Sequence, residues 1–275
     1  MTHPGRPGTR MHSFTPWFRE AGAGPGVVCV HSNASTSSQW RGLMERLAPS
    51  YRVFAPDSLG AGKSPAWPTD RAVTLHDELA LLEPVFAAAG DPFFLVGHSY
   101  GASVSLLAAL ARPERIRALA VYEPTLFSLL EEEAPGQEAA NGIRSAAAEA
   151  AAAIAANDSA GAGERFIDYW MGAGTWRLMP EARQASIAAS MTHVAGWAEA
   201  LFREPTPLQA FRALDIPVLY MVGARSPTSS RGVARLLTST LARVSVIEFA
   251  GLGHMGPVTH PEVVNDAVAA FLARH

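Results

Sequence analysis

One segment places a hydroxyl nucleophile where acyl chemistry would need it: Phe93-Phe94-Leu95-Val96-Gly97-His98-Ser99-Tyr100-Gly101-Ala102. An apolar run ends in Gly-x-Ser-x-Gly, and a small-residue helical pattern follows over residues 102–111. The pattern predicts a strand, a very tight turn and a helix, with Gly97 and Gly101 where the chain must fold back without side-chain clash. Ser99 then stands at the apex, its hydroxyl above the sheet and the amide end of the helix beneath it, a nucleophile elbow. Taken alone, the pentapeptide fits an ordinary glycine-rich turn equally well, so its partners decide.

A serine hydroxyl is a weak nucleophile without a base, and the base needs a group to orient it. The candidate base is His254, in Gly251-Leu252-Gly253-His254-Met255-Gly256-Pro257. It follows the last apolar run and precedes the last helical pattern, which puts it on a loop at Ser99's end of the sheet. His31, at the end of an apolar run near the site, is the main rival, and His193 could reach the same pocket from a helical region.

Positioning these groups requires a sheet. Apolar runs at 14–18, 27–31, 53–56, 93–97, 117–122, 217–223 and 244–249 read as strands, and helical patterns at 39–47, 74–89, 102–111, 229–242 and 261–274 separate them. Strands alternating with helices predict an α/β class with a mostly parallel central sheet covered on both faces. Continuous rather than alternating apolar runs fit strands buried on both sides. The alternation breaks between Pro124 and Arg212, where alanine-rich helices are expected at 138–156, 164–171 and 180–202 with a break at 157–163. Residues 124–212 thus form a helical cap inserted into a core made of 11–123 and 213–275. The tryptophans and methionines of the cap mostly form its own core. A few face the sheet, and Trp170, Met171, Trp176 and Trp197, with His31 and His193, are the expected walls of an apolar pocket.

The bulk numbers exclude other classes. A net charge of −3 with no basic run argues against nucleic-acid binding. The single cysteine, Cys29, sits in an apolar run and permits neither a disulfide framework nor a thiol–metal cluster. No apolar stretch is long enough to span a membrane. Residues 1–10 read as a disordered leader without a signal-peptide core, and Met11 is an alternative start. The expectation is a cytoplasmic protein acting on a small molecule, with no metal or organic cofactor and with monomer or homodimer left open. Gly60-Ala61-Gly62-Lys63-Ser64 ends like a phosphate-binding loop, but Asp57 stands where its first glycine belongs. Pro65 and Pro68 follow instead of a helix, so it reads as a structural turn.

Together these segments resemble an α/β-hydrolase of the capped, esterase- and dehalogenase-like branch. The resemblance rests on His31-Ser32-Asn33-Ala34-Ser35, on Asp57-Ser58-Leu59-Gly60-Ala61-Gly62-Lys63-Ser64, on the elbow at 97–101, on Gly253-His254 and on the cap's position. It implies the α/β-hydrolase fold, a Ser–acid–His triad and hydrolysis through an acyl-enzyme. It also implies an oxyanion hole from the backbone N–H of Tyr100 and from Asn33. Dehalogenases and epoxide hydrolases of this fold use an aspartate nucleophile, so Ser99 disfavours both activities.

The acid departs from the family pattern. The family usually carries an Asp after the strand at 217–223, in a Gly-x-x-Asp context. Here the segment is Gly223-Ala224-Arg225-Ser226, and no acid follows until Glu248. Asp215 precedes that strand and belongs at the wrong end of the sheet. Glu123, directly after the strand at 117–122, emerges beside the elbow, a position some dehalogenases use. Two readings stay open: Glu123 as the acid, or a Ser99–His254 dyad with Ser226 or water orienting the ring. The expected activity is carboxylesterase-like, on an ester, lactone or thioester. A C–C bond hydrolase or a lyase on the same triad, and a non-catalytic ligand-binding protein on this scaffold, are the alternatives.

Overall fold

A computed structural model describes residues 15–68, 70–133 and 138–275, so the leader expected at 1–10 and the alternative start Met11 lie outside the described residues. Seven strands form one sheet in the order β1-β3-β2-β4-β5-β6-β7. They are β1 (Phe18–Ala21), β2 (Gly26–Val30), β3 (Arg52–Pro56), β4 (Phe93–His98), β5 (Ile116–Tyr122), β6 (Val218–Gly223) and β7 (Val244–Phe249). Among the described residues only the β1–β3 pair is antiparallel. The chain is thus an α/β protein with a mostly parallel sheet.

The central strands β2, β4 and β6 are buried at every position, as their uninterrupted apolar runs require. The first strand begins later than the sequence pattern suggests, at Phe18 rather than at 14. Pairing with β3 fixes it: Phe18 lies opposite Pro56 and Ala21 opposite Val53. Arg19 and Glu20 face solvent on this edge strand, so no apolar run marks it.

Helices cover both faces. α1 (Arg41–Leu47) and the C-terminal α12 (Pro261–Leu272) pack Leu43, Met44, Leu47, Val264, Val268 and Phe271 on one face. α2 (Leu75–Ala89), α3 (Tyr100–Ala111) and α10 (Thr228–Thr240) cover the other. Between β5 and β6 run six helices and no strand among the described residues: α4 (Ser128–Glu133), α5 (Glu138–Ala155), α6 (Ser159–Met171), α7 (Thr175–Leu178), α8 (Glu181–Ser190) and α9 (Val194–Phe202). A short α11 (Gly256–Thr259) follows β7.

Two boundaries in this helical region differ from the sequence reading. The break expected at 157–163 shrinks to a turn at Asn157, whose φ is +60°. Asp158 then caps α6 by accepting from the Gly161 N–H at 2.8 Å, so the helix starts early and runs through Gly161 and Gly163. Gly163 fits because the Trp176 ring lies 2.6 Å from where a Cβ would stand. The helix expected at 180–202 is two helices, α8 and α9, joined by a 3-10 turn at Met191–His193.

Candidate active site

The turn between β4 and α3 is as tight as its glycines suggest. Ser99 has φ +57° and ψ −119°, a backbone that L-residues adopt only under local constraint. A Cβ on Gly97 would stand 2.6 Å from Ala102 Cα, and one on Gly101 would stand 2.4 Å from the carbonyl oxygens of Val30 and His31. The helix begins at once: the N–H groups of Ala102 and Ser103 both donate to Ser99 O at 3.0 Å. Tyr100 is the first residue of α3, so its N–H has no partner within the helix.

His254, on the loop after β7, reaches this apex. Its Nε2 lies 2.9 Å from Ser99 Oγ. Its Nδ1 lies 2.6 Å from Glu123 Oε2, and Ser230 Oγ stands 3.3 Å from the same nitrogen. The loop is tied down from below: Tyr122 OH donates to Gly253 O at 2.8 Å, and His98 Nε2 donates to His254 O at 2.8 Å. That second bond puts the His98 proton on Nε2. Its Nδ1 accepts from Gln39 Nε2 at 3.1 Å, and Gln39 Oε1 in turn accepts from Ser32 N–H and Oγ. Burial pushes the His98 pKa well down, so the ring stays a neutral strut.

Glu123 is fully buried and follows β5 directly, with φ +45°. Its Oε1 accepts from Gly223 N–H at 2.6 Å and from Ser226 Oγ at 2.5 Å, and its Oε2 faces the histidine. A buried carboxylate is tolerable only when its lone pairs are this fully occupied. Ser226, at the position where an acid would be expected after β6, therefore contacts the carboxylate of Glu123; no bond joins Ser226 to His254.

Ser99, His254 and Asn33 line one cavity of about 40 Å³ together with side chains of α6 and α8. Trp170 and Met171 line it as expected, and the Trp170 ring stacks on His254 with centroids 4.0 Å apart and planes at 27°. Four other expected wall residues are not in that lining. His31 is buried beneath it: Nδ1 donates to Ser32 O at 2.7 Å, and Nε2 accepts from Ser58 N–H at 3.0 Å. Both ring nitrogens are thereby used, and burial lowers the pKa of the ring. Trp176 packs on Gly163 within the helical region. His193 stacks on Trp67 at 5.3 Å. Trp197 lines a second, wholly apolar cavity of about 30 Å³ inside the helical region.

The sequence reading missed Phe166, Ile167, Met179, Arg183, Ile187 and Leu201 as walls of the Ser99 cavity. The i, i+4 spacing of Arg183 and Ile187 on α8 was an available signal.

The turn at 57–64 is held by the side chain of Asp57, which accepts from Ser37 N–H at 2.7 Å and Lys63 N–H at 3.0 Å. Gly62 leaves no room for phosphate or Cβ, because Asp57 Oδ2 stands 2.0 Å from the Cβ position. Among the described residues no group of three or more His, Cys, Asp or Glu side chains is placed to hold a metal ion. No helix among them is long and apolar enough to cross a membrane.

The sequence pattern of the family described as alpha/beta hydrolase fold matches residues 25–261. An epoxide hydrolase of Caballeronia sordidicola is 39% identical over 106 residues, 36% of this chain and 31% of that protein. The chain spans about a third of the length of the curated relatives it matches. Among solved structures, an alpha/beta hydrolase from Sphaerobacter thermophilus superposes with a TM-score of 0.72 at 26% identity, covering 93% of this chain and 95% of that one. A thermophilic esterase from Thermogutta terrifontis, solved with malate bound, superposes with a TM-score of 0.74 at 22% identity over 94% of this chain and 93% of that one.

Proposed function

Because the chain belongs to the alpha/beta-hydrolase family, we propose that it is a serine hydrolase cleaving a carboxylic ester, lactone or thioester of a small, partly apolar substrate. One observation carries the reading: the hydrogen-bonded row from Ser99 Oγ through both nitrogens of His254 to Glu123.

Each atom of that row has a task. His254 Nε2 accepts the Ser99 proton as Oγ attacks the acyl carbon, and later returns it to the leaving oxygen or sulfur. Glu123 holds the proton on Nδ1, which leaves Nε2 free to accept, and stabilises the imidazolium that forms. The tetrahedral oxyanion sits between the N–H groups of Tyr100 and Asn33, and losing one such donor costs about 3 kcal/mol. Water then attacks the acyl-enzyme by the same proton path. Trp170, stacked on His254, keeps bulk water from the buried ring. The helices of residues 124–212 act as the cap, and their apolar side chains select an apolar acyl or alcohol portion.

The epoxide hydrolase relative does not carry its named activity across. Family members that open epoxides or displace halide use an aspartate nucleophile, and Ser99 occupies that position here. The test is turnover of 4-nitrophenyl butyrate and labelling by a fluorophosphonate probe, in wild type and in Ser99→Ala. Wild type is expected to turn over and label, with a rate loss of at least about 10³-fold in the variant. Equal rates, or labelling that persists without Ser99, overturn the reading.

A further inference from the structure

Arg183 is out of character with the cavity it borders. It lines the space that contains Ser99, Asn33 and His254, and among the described residues it is the one permanently charged side chain to do so. The side chains that α6, α8 and α9 otherwise contribute to the lining are apolar, Phe166, Ile187 and Leu201 among them. Its place there follows from helix geometry. Ile187 is a buried residue of α8, and Arg183 lies one turn nearer the N-terminus on the same face. Arg183 is itself exposed, so it lines the cavity where the cavity meets solvent.

The guanidinium also lacks a partner. Three arginines of the helical region are neutralised, Arg144 by Glu131, Arg177 by Glu164 and Arg203 by Glu199, and Arg165 donates to Gly161 O. Arg183 makes no ion pair and no side-chain hydrogen bond among the described residues. The chain as a whole carries a net charge of −3, so this cation does not belong to a general basic surface. An unpaired planar fork beside a nucleophile-bearing apolar cavity matches a carboxylate in shape and in charge.

We propose that Arg183 is a specificity-determining residue that binds a carboxylate at the far end of the substrate, so that the preferred substrate is an anionic ester or lactone. This rests on the serine-hydrolase reading above. The apolar walls hold the carbon chain, Ser99 takes the acyl group, and Arg183 forms a two-pronged hydrogen bond to the terminal carboxylate.

The experiment compares 4-nitrophenyl half-esters of succinate, glutarate and adipate with 4-nitrophenyl butyrate, valerate and hexanoate, pairs matched in acyl length. For the best-fitting pair, wild type is expected to favour the half-ester in kcat/KM. Arg183→Gln lowers that preference ratio at least about 10-fold, mainly through KM, and Arg183→Lys by less because it keeps the charge but not the fork. A ratio unchanged by Arg183→Gln overturns the proposal, as does a wild type that favours every neutral ester. Calorimetric titration of the same esters into Ser99→Ala, with and without Arg183→Gln, gives a second readout independent of turnover. Half-ester binding that does not weaken without Arg183 overturns this inference. Arg183-dependent binding with no turnover by wild type would support it while overturning the hydrolase reading.

Discussion

Replacing Glu123 by glutamine isolates what its charge and acceptor pattern do. The wild-type carboxylate accepts at both ends: Gly223 N–H at 2.6 Å and Ser226 Oγ at 2.5 Å meet Oε1, and His254 Nδ1 at 2.6 Å meets Oε2. Glutamine has one acceptor end only. Ser226 can turn its hydroxyl to accept, but the Gly223 N–H cannot. Pointing the amide NH2 at Gly223 would set two donors head on in a buried site and leave both unmade, at about 1–3 kcal/mol or more. The amide oxygen therefore stays with Gly223, and the NH2 donates to His254 Nδ1. The histidine proton is then driven to Nε2, the nitrogen that must accept from Ser99.

The wrong tautomer costs about 10⁴-fold in kcat where such a triad has been taken apart. Glu123→Gln is accordingly expected to lower kcat by about 10³- to 10⁴-fold, or roughly 4–5.5 kcal/mol of barrier. KM is expected to stay within about threefold, because Glu123 is absent from the cavity wall. The assay is steady-state turnover of 4-nitrophenyl butyrate, with calorimetry to establish that the variant is folded. A folded Glu123→Gln that retains kcat within about threefold refutes the reasoning and leaves the Ser99–His254 dyad as the working unit. The double change Glu123→Ala/Ser226→Asp probes the same point from the other side: it should recover at least about tenfold over Glu123→Ala alone.

Gly101→Ala should destabilise the fold by about 3 kcal/mol. Its Cβ would meet two backbone oxygens of β2 and the following loop at 2.4 Å, which can yield only if α3 lifts off the sheet. The melting temperature should fall by about 6–12 °C, and a fall under 2 °C would count against the close approach of α3 and β2. Glu78 offers a pH test. It is buried, its carboxyl accepts from Leu59 N–H at 3.1 Å and Tyr100 OH at 3.3 Å, and desolvation raises its pKa from 4.5 to about 7. Below pH 4.5 both folded and unfolded forms are protonated. As pH rises from 4.5 to 7 the unfolded chain loses the proton first, so wild type loses stability, in all about 3 kcal/mol. Glu78→Gln should therefore gain stability relative to wild type between pH 5 and pH 8 in chemical denaturation, and a pH-independent difference would refute the assignment.

How much of this was legible in the chain depends on what the signal was. Strands β2, β4 and β6 announce themselves because burial on both faces demands apolar residues at every position. The elbow is legible because only glycine fits the approaches at 97 and 101. That Ser99 and His254 lie at the same end of the sheet follows from each standing between a strand and the helix after it; the loop after β7 then carries the ring across to β4. The edge strand β1 was misplaced because its middle residues Arg19 and Glu20 are exposed and its register comes from β3, not from its own composition. The cavity walls were half legible. Tryptophan and methionine content says that residues 124–212 bury apolar surface, but not which cavity each side chain enters. Trp170 met His254, whereas Trp176 went to Gly163 and Trp197 to the second cavity. His31 was placed in the pocket because its strand ends near the site, whereas a backbone carbonyl and a backbone N–H use both of its ring nitrogens.

The acid's position has a physical explanation in the sheet. β5 and β6 are parallel neighbours, with Tyr122 opposite Met221, so the chain leaves both strands at the same edge and side by side. A carboxylate emerging from either strand enters the same pocket, bounded by Gly223 N–H, the residue at 226 and His254. The fold thus specifies one buried negative charge, not the strand that supplies it. Glu123, with φ +45°, turns its side chain toward β6 immediately after leaving β5. Once it does so, position 226 must be a donor rather than a second acid. Two carboxylates at this separation in a dry site cannot both ionise, and the pKa of one would rise steeply. Ser226 is the complement of Glu123: it supplies the hydrogen bond that a buried carboxylate needs, at the one place where another charge would disable the pair.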